Sequence, residues 1–135
     1  MFPRFGRKAT ILAAGMALFA AGWLAGQQGA RTEKTVVHAV AWTAGASFTE
    51  QGLEDFRRAT EEMARTMPGL RRAWVGRLRT PLKVGELTRD YGLVLEFDDL
   101  KTREEYSTHP SRAPWAQVWE KIRVPGSTNF DVLGQ

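Results

Sequence analysis

The stretch Thr35-Val36-Val37-His38-Ala39-Val40-Ala41-Trp42 decides the fold of this chain. Alternate side chains of a β-strand point to opposite faces, so His38, Val40 and Trp42 share one face. The other face carries the valine and alanines between them. Because both faces are largely apolar, both are predicted to be covered in the folded protein.

The segments that follow carry alternating helix and strand signals. Ser47-Phe48-Thr49-Glu50 has capping-box spacing, which predicts Ser47 as the N-cap of a helix that ends near Met67. Three more strands are predicted at 70–78, 91–97 and 127–133, a polar connection at 80–90, and helical segments from Asp98 or Asp99 to Tyr106 and over 111–122. The resulting order, βαββαβ, predicts an α+β fold in which a four-stranded antiparallel sheet carries helices on one face. A second copy of the sheet is the predicted cover for the other face.

Residues 1–30 are predicted to be an N-terminal membrane anchor or signal peptide. Residues 9–26 carry no charge and directly follow a cluster of three basic residues. Eighteen residues at helical rise span about 27 Å, close to the roughly 30 Å hydrocarbon core of a bilayer. Neither Ala25 nor Ala30 is preceded by the pattern of small residues that signal peptidase prefers, so the sequence favours an uncleaved hydrophobic helix.

An anchor or a signal peptide at residues 1–30, called the leader below, determines on which side of the membrane the rest of the chain lies. The basic end stays inside, and the domain is placed outside the cytoplasmic membrane, either membrane-anchored or exported. Residues 31–34 are then a short linker, and residues 35–135 form the folded domain.

The charge distribution argues against nucleic-acid binding. The chain of 135 residues has a formal charge of +4, but the leader holds three of the 19 basic residues and none of the 15 acidic ones. The remainder therefore carries a formal charge of only about +1, too little for an electrostatic footprint on nucleic acid. The absence of cysteine excludes a disulfide and a thiolate nucleophile.

Several short stretches together resemble the stress-responsive A/B barrel family. They are Val36-Val37-His38, Met67-Pro68-Gly69-Leu70, Gly76, Tyr91-Gly92-Leu93-Val94-Leu95-Glu96-Phe97 and Tyr106-Ser107-Thr108-His109-Pro110. The resemblance covers roughly residues 35–133. It implies a ferredoxin-like dimeric α+β barrel, in which two four-stranded sheets meet in a homodimer and each subunit encloses an apolar cavity between sheet and helices.

The resemblance also points to candidate catalytic residues. The family often carries the pattern Tyr-x-x-His-Pro-x-His, and in plant polyketide cyclases similar to it the tyrosine and the second histidine are the catalytic pair. Tyr106 and His109 match the first two positions, but Arg112 stands where the second histidine is expected. An arginine stays protonated, so an aldol-type cyclisation that needs a base there should fail. Arg112 is instead predicted to bind a carboxylate or phosphate, or to stabilise an enolate.

His38 is the third candidate catalytic residue, because many relatives carry a histidine on the first strand. It could act as a base or a ligand donor if its side chain faces the cavity. For His38 and His109 the alternative is a structural role, as a hydrogen-bonded core histidine and as a cap at the helix junction.

The remaining site predictions concern ligands. Trp42 and Trp119 are predicted to line the ligand site beside Arg112, although core and dimer packing also explains the tryptophans. The spacing of histidines and carboxylates supports no metal site, and no cofactor motif is present in the sequence. The sequence thus favours a homodimer that binds a small, partly apolar or anionic ligand without catalysis. The alternative is a small-molecule enzyme of the polyketide-cyclase or monooxygenase-like kind.

Overall fold

The computed structural model describes residues 34–134, and these form a single α+β domain. Its elements are β1 (Val36–Trp42), α1 (Glu50–Thr66), β2 (Leu70–Val84), β3 (Leu87–Phe97), α2 (Leu100–Tyr106), α3 (Arg112–Glu120) and β4 (Thr128–Leu133). The predicted βαββαβ order is confirmed, with the second helical region divided into α2 and α3.

The four strands form one sheet in the order β2-β3-β1-β4, and all neighbours are antiparallel. The two central strands, β1 and β3, are not consecutive in the sequence, and no hairpin joins them. This order is the ferredoxin-like arrangement, in which each β-α-β half places its helical region over the same side of the sheet.

The hydrophobic core lies between the helices and one face of the sheet. Trp42, Phe56, Leu93, Leu95 and Phe97 are the large apolar side chains with no more than trace exposure. The ring of Trp42 stacks on that of Tyr91, with centroids 4.9 Å apart. Within residues 34–134, the core cluster extends from Val36 to Ile122 and draws on both the sheet and the helices.

The start of α1 differs from the prediction. Ser47 is not the N-cap; Thr49 is, and its Oγ1 accepts a hydrogen bond from the backbone N–H of Gly52 at 3.0 Å. Two hydroxyl residues stand two positions apart, and either satisfies the cap preference for a short side-chain acceptor. The helix starts later because residues 44–45 are held to the chain before β4, where the N–H of Gly45 donates to the Ile122 carbonyl at 2.8 Å.

The prediction of a polar connection at 80–90 was wrong, because these residues belong to strands β2 and β3 and the turn between them. Both strands continue through it, and only Gly85 and Glu86 form the turn of a long β2–β3 hairpin. Gly85 has φ of +61°, the left-handed conformation that two-residue hairpin turns require. The hairpin extends beyond the core as an arm, so its side chains are mostly exposed and lack the alternating pattern of a half-buried strand.

The sheet face turned away from the helices carries an apolar row, and in the next row Arg72 and Glu96 form an ion pair. Its central row runs across all four strands through Trp74, Val94, Ala39 and Phe130. Trp74 is 49% exposed, Phe130 60% and Val132, in the next row, 52%. An exposed apolar strip of this kind is typical of a protein–protein interface.

The predicted N-terminal hydrophobic helix and linker lie outside the described residues. Within residues 34–134, no helix is both long and apolar enough to cross a membrane.

Candidate functional site

A cavity of about 170 Å³ lies between the helix-facing side of the sheet and helices α2 and α3. Val40, Leu93 and Trp119 contribute apolar surface. Polar side chains form the rest of the described lining: His38, Arg103, Tyr106, Ser107, Arg112, Ser127 and Asn129. The cavity is therefore smaller and more polar than a typical site for a drug-sized ligand.

His38 enters the cavity from β1 and is oriented by the neighbouring strand. The strand register places it beside Asp131 of β4, and its Nδ1 lies 2.7 Å from Asp131 Oδ1. Arg103 also donates to Asp131 Oδ1, from Nε at 3.0 Å, and its Nη2 lies 3.0 Å from His38 Nδ1. A carboxylate only accepts and a guanidinium only donates, so Nδ1 donates to Asp131 when it carries the imidazole proton and accepts from Arg103 when it does not. The Nε2 atom takes part in neither contact.

The environment sets the protonation states of these groups. Burial lowers the pKa of His38 below its ordinary value; the Asp131 hydrogen bond opposes this, whereas the charges of Arg103 and Arg112 add to it. Burial also raises the pKa of Tyr106, against the hydrogen bond and charge of Arg112. For Asp131, burial alone would raise the pKa, but hydrogen bonds from Arg103 and His38 bring it below the ordinary value. At neutral pH the site therefore holds a neutral imidazole and a neutral phenol.

Arg112 is the cation of the cavity that lacks a carboxylate partner. Its guanidinium lies over the Tyr106 ring, 5.2 Å from the centroid, and it forms no ion pair with any described carboxylate. Arg112 Nε and the indole Nε1 of Trp119 are both buried without a hydrogen-bond partner in the described part of the chain. Two donors without acceptors, on residues that line one cavity, favour an anionic or otherwise acceptor-rich ligand.

The structure brings four of the six predicted site residues together. His38, Tyr106, Arg112 and Trp119 all line the cavity, and His38 and Tyr106 pack with ring centroids 6.1 Å apart.

The other two predicted site residues do not line this cavity. The Nδ1 of His109 is 2.6 Å from the hydroxyl oxygen of Ser111 and 3.2 Å from its backbone nitrogen, so His109 stabilises the turn that leads into α3. Trp42 is fully buried among core aromatic residues.

The two residues that hold the His38 ring were missed by sequence reasoning. Asp131 and Arg103 hold the His38 ring, but they stand 93 and 65 residues away from it along the chain. The available signal was a lone aspartate in the otherwise neutral strand 128–133, and its partner becomes clear only once the β1–β4 register is known.

Replacing Asp131 with asparagine is expected to lower the pKa of His38 further, since it removes the interaction that most opposes the effect of burial. Replacing Arg103 with methionine should raise that pKa. Both changes are measured by an NMR titration of the imidazole in the folded domain. Equal His38 pKa values in the wild type and both variants would contradict this description of the site.

The free energy of unfolding should also depend on pH, because His38 binds a proton less readily in the folded than in the unfolded state. The pKa of His38 is lower in the folded than in the unfolded state, where it is about 6.5, so unfolded chains bind the proton more readily. The free energy of unfolding that this group contributes is fully present above about pH 6.5 and decreases as the pH falls toward the folded-state pKa. Urea titrations between pH 5 and 7.5 should show this decrease in the wild type and a smaller one in a His38→Gln variant.

Comparison with known proteins identifies the family. The sequence profile of the stress responsive A/B barrel (Dabb) domain matches residues 36–127, which is more than half of the chain. A search of curated proteins finds no match.

Solved structures share the fold at low sequence identity. A dimeric ferredoxin-like protein of unknown function from Bacteroides fragilis has 19% identity and a TM-score of 0.57, covering 74% of this chain and 96% of its own. The hydroxynitrile lyase of Passiflora edulis has 8% identity and a TM-score of 0.61, with 76% and 95% covered.

SnoaB, a cofactor-independent oxygenase from Streptomyces nogalater, has 17% identity and a TM-score of 0.50, with 76% and 92% covered. At these identities the likeness establishes the fold, and the sequence match covers β1, β3, α2 and α3 of the cavity but ends before β4. The chain therefore belongs to the stress responsive A/B barrel domain family.

Proposed function

We propose that this protein is a homodimeric α+β barrel that binds a small anionic ligand, such as a carboxylate, in the cavity between His38 and Arg112. The observation that carries the proposal is the pair of buried donors, Arg112 Nε and Trp119 Nε1, which lack partners in the described residues. An unpaired buried donor costs roughly 1–3 kcal/mol, and a carboxylate that accepts from both would remove that cost.

The cavity limits the ligand to a small one. A water molecule in the liquid occupies about 30 Å³, so 170 Å³ corresponds to roughly six waters. Trp119, Val40 and Leu93 can contact an apolar part of the ligand, while Tyr106 and Arg112 hold its charged end. A carboxylate attached to a small ring or a short chain has such a charged end and such an apolar part.

Isothermal titration with benzoate, and with neutral benzamide as the matched control, tests the binding proposal. We expect benzoate to bind and benzamide to bind at least tenfold more weakly, since charge-assisted hydrogen bonds exceed neutral ones. Equal affinities, or no heat from either compound, would contradict an anion-binding cavity.

The homodimer is supported by the apolar sheet face. Trp74, Phe130 and Val132 together leave a strip of large side chains exposed in the single chain, and several solved relatives of the same fold are described as dimeric. An isologous dimer places this strip against its own copy and covers it. Light scattering on residues 31–135 should give about twice the chain mass; a monomer at micromolar concentration would oppose the dimer.

A specific observation favours catalysis as a second candidate function. In the tautomer with the proton on Nδ1, the His38–Asp131 pair presents a neutral imidazole whose Nε2 can accept a proton beside a protonated tyrosine and an arginine, which suits proton abstraction next to a carboxylate. Two structurally similar proteins are an oxygenase and a lyase.

Exchange of the methyl protons of pyruvate in deuterium oxide tests this second candidate. Acceleration over buffer that is lost in a His38→Gln variant would support an enzyme. Exchange at the buffer rate in both proteins would leave ligand binding as the function.

We further infer that the domain lies outside the cytoplasmic membrane, tethered or released by residues 1–30. The basic residues before the uncharged segment 9–26 support this inference. Proteolysis of spheroplasts should degrade a C-terminally tagged chain, while a version lacking residues 1–30 should be protected inside the cell. Protection of the full-length chain would contradict this location.

A further inference from the structure

Strand β4 turns polar side chains toward the helices, where the neighbouring strands carry mostly apolar ones. The strand register sets Asn129 beside Val40 and Asp131 beside His38, so these two β4 side chains lie on the helix-facing side of the sheet. Ser127 stands two residues before Asn129, and both of them line the His38 cavity. The β4 wall of the cavity is therefore polar and uncharged at these two positions.

Three neutral polar side chains of the lining have no partner among the described residues. Ser107, Ser127 and Asn129 make no side-chain hydrogen bond to the part of the chain that the structure describes. Because β4 is an edge strand, Ser127 is half-buried and Asn129 is exposed, and they form the open side of the cavity. A ligand that enters here must replace the hydrogen bonds that water makes to these groups, so it should carry a polar group of its own.

The cation and the neutral polar groups lie on different walls of the cavity. Arg112 belongs to α3, on the helix wall, whereas His38 and Asn129 belong to adjacent strands of the sheet wall. His38 and Asn129 are diagonal neighbours in the β1–β4 register. Side chains at such positions begin roughly 7–8 Å apart, so one small group placed between them can contact both.

The sheet wall can accept a hydrogen bond as well as donate one. When Nδ1 of His38 carries the proton and donates to Asp131, Nε2 is an acceptor. The side-chain amide of Asn129 both accepts and donates, which matches a hydroxyl group. A second carboxylate would be less suited to this wall, because the other arginine of the described lining, Arg103, is already paired with Asp131 at 3.0 Å.

We propose that the ligand of this cavity is a 2-hydroxycarboxylate, whose carboxylate binds Arg112 and whose hydroxyl lies between His38 and Asn129. This inference rests on the carboxylate site proposed above and narrows its ligand class. A 2-hydroxy acid carries the two groups on adjacent carbons, which suits a cavity of about 170 Å³. The third substituent of the central carbon would contact Val40 and Leu93. Since three chemically different surfaces surround that carbon, the cavity should distinguish the two enantiomers.

Titration calorimetry with R-lactate, S-lactate and propionate tests the ligand class, using the full-length chain in a non-ionic detergent. Propionate differs from lactate only in lacking the hydroxyl. We expect one lactate enantiomer to bind at least tenfold more tightly than propionate, because a site that hydrogen-bonds a hydroxyl discriminates against the analogue without it. The other enantiomer should bind about as weakly as propionate.

The outcomes separate this inference from the carboxylate site on which it rests. If both lactate enantiomers bind only as well as propionate, the 2-hydroxy acid is ruled out while the carboxylate site stands. Binding of benzoate but of none of the three smaller acids would also rule out this ligand class alone. If benzoate fails as well, the carboxylate site and this inference fall together.

Replacement of Asn129 tests the position of the hydroxyl. Asn129→Leu should lower the affinity for the preferred lactate enantiomer to that for propionate and leave the affinity for propionate unchanged. Asn129 is exposed, so the substitution should cost the fold little. Thr128→Val, on the open face of the same strand, is the matched control and should keep the preference for lactate. A tenfold preference that survives in Asn129→Leu would contradict the proposed position.

The side-chain amide of Asn129 also reports the contact directly. It is the only asparagine of the chain, so nitrogen-15 labelling of asparagine alone gives a single side-chain NH₂ signal. Saturation with the preferred lactate enantiomer should shift this signal, and saturation with propionate should leave it nearly unchanged. An amide signal that does not move in the saturated lactate complex would overturn the proposal.

Discussion

Replacement of Arg112 by methionine is expected to weaken benzoate binding by roughly 10- to 100-fold. The expectation follows from the loss of charge-assisted hydrogen bonds, each of which contributes about 1.5–3 kcal/mol. Methionine keeps a long apolar side chain over the Tyr106 ring, where the guanidinium lies in the wild type. Isothermal titration measures the affinity, and circular dichroism checks that the fold is intact.

Two further variants sharpen this test. Arg58→Met removes an exposed arginine that pairs with Asp55 on α1, and it should leave benzoate affinity unchanged. Arg112→His restores the Tyr-x-x-His-Pro-x-His pattern and should make binding depend on pH, tight only when the new imidazole is protonated. If Arg112→Met binds benzoate as well as the wild type, the anion is not held by Arg112 and the proposed cavity is wrong.

Replacement of Phe130 by aspartate is expected to convert the dimer to a monomer at micromolar concentration. Phe130 is already exposed in the single chain, so the substitution should cost the fold little. In the proposed dimer the aspartate would be buried against the partner's sheet, and symmetry places it there twice. At about 2 kcal/mol per buried carboxylate, dimerisation should weaken roughly 1000-fold.

Light scattering at several concentrations measures this effect. Leu100→Asp is the matched control, because Leu100 is similarly exposed but lies on the helix side of the sheet. It should remain dimeric. A Phe130→Asp protein with the wild-type mass, or a monomeric Leu100→Asp protein, would show that the contact surface is not the open sheet face.

Local sequence patterns predicted most of the fold. The alternation over 35–42 predicted β1 and both of its apolar faces, because burial leaves a periodic record in the sequence. The capping-box spacing at 47–50 predicted α1, with its start two residues too early. The β2–β3 arm extends past the core and leaves no such record, which is why residues 80–90 were predicted as a connection. The choice between Ser47 and Thr49 depended on tertiary contacts of residues 44–45 that no local pattern encodes.

The candidate site was less predictable than the fold. Tyr106 and Arg112 were found because a short motif holds them close in sequence, and His38 because the family that the sequence resembles often carries a histidine on the first strand. Asp131 and Arg103 meet His38 only through strand register and helix packing, so their role required the three-dimensional structure. Nothing in the local sequence distinguishes the roles of Trp42 and Trp119, yet Trp42 fills the core and Trp119 lines the cavity.

The most direct test of the central claim is an NMR titration of benzoate into uniformly nitrogen-15-labelled protein. Two resonances decide it: the indole Nε1–H of Trp119, assigned with a Trp119→Phe variant, and the Nε–H of Arg112. The proposed binding mode predicts that both shift with one common saturation curve, while Arg58 is unaffected. Saturable binding that leaves both resonances in place would contradict a ligand site in the His38–Arg112 cavity.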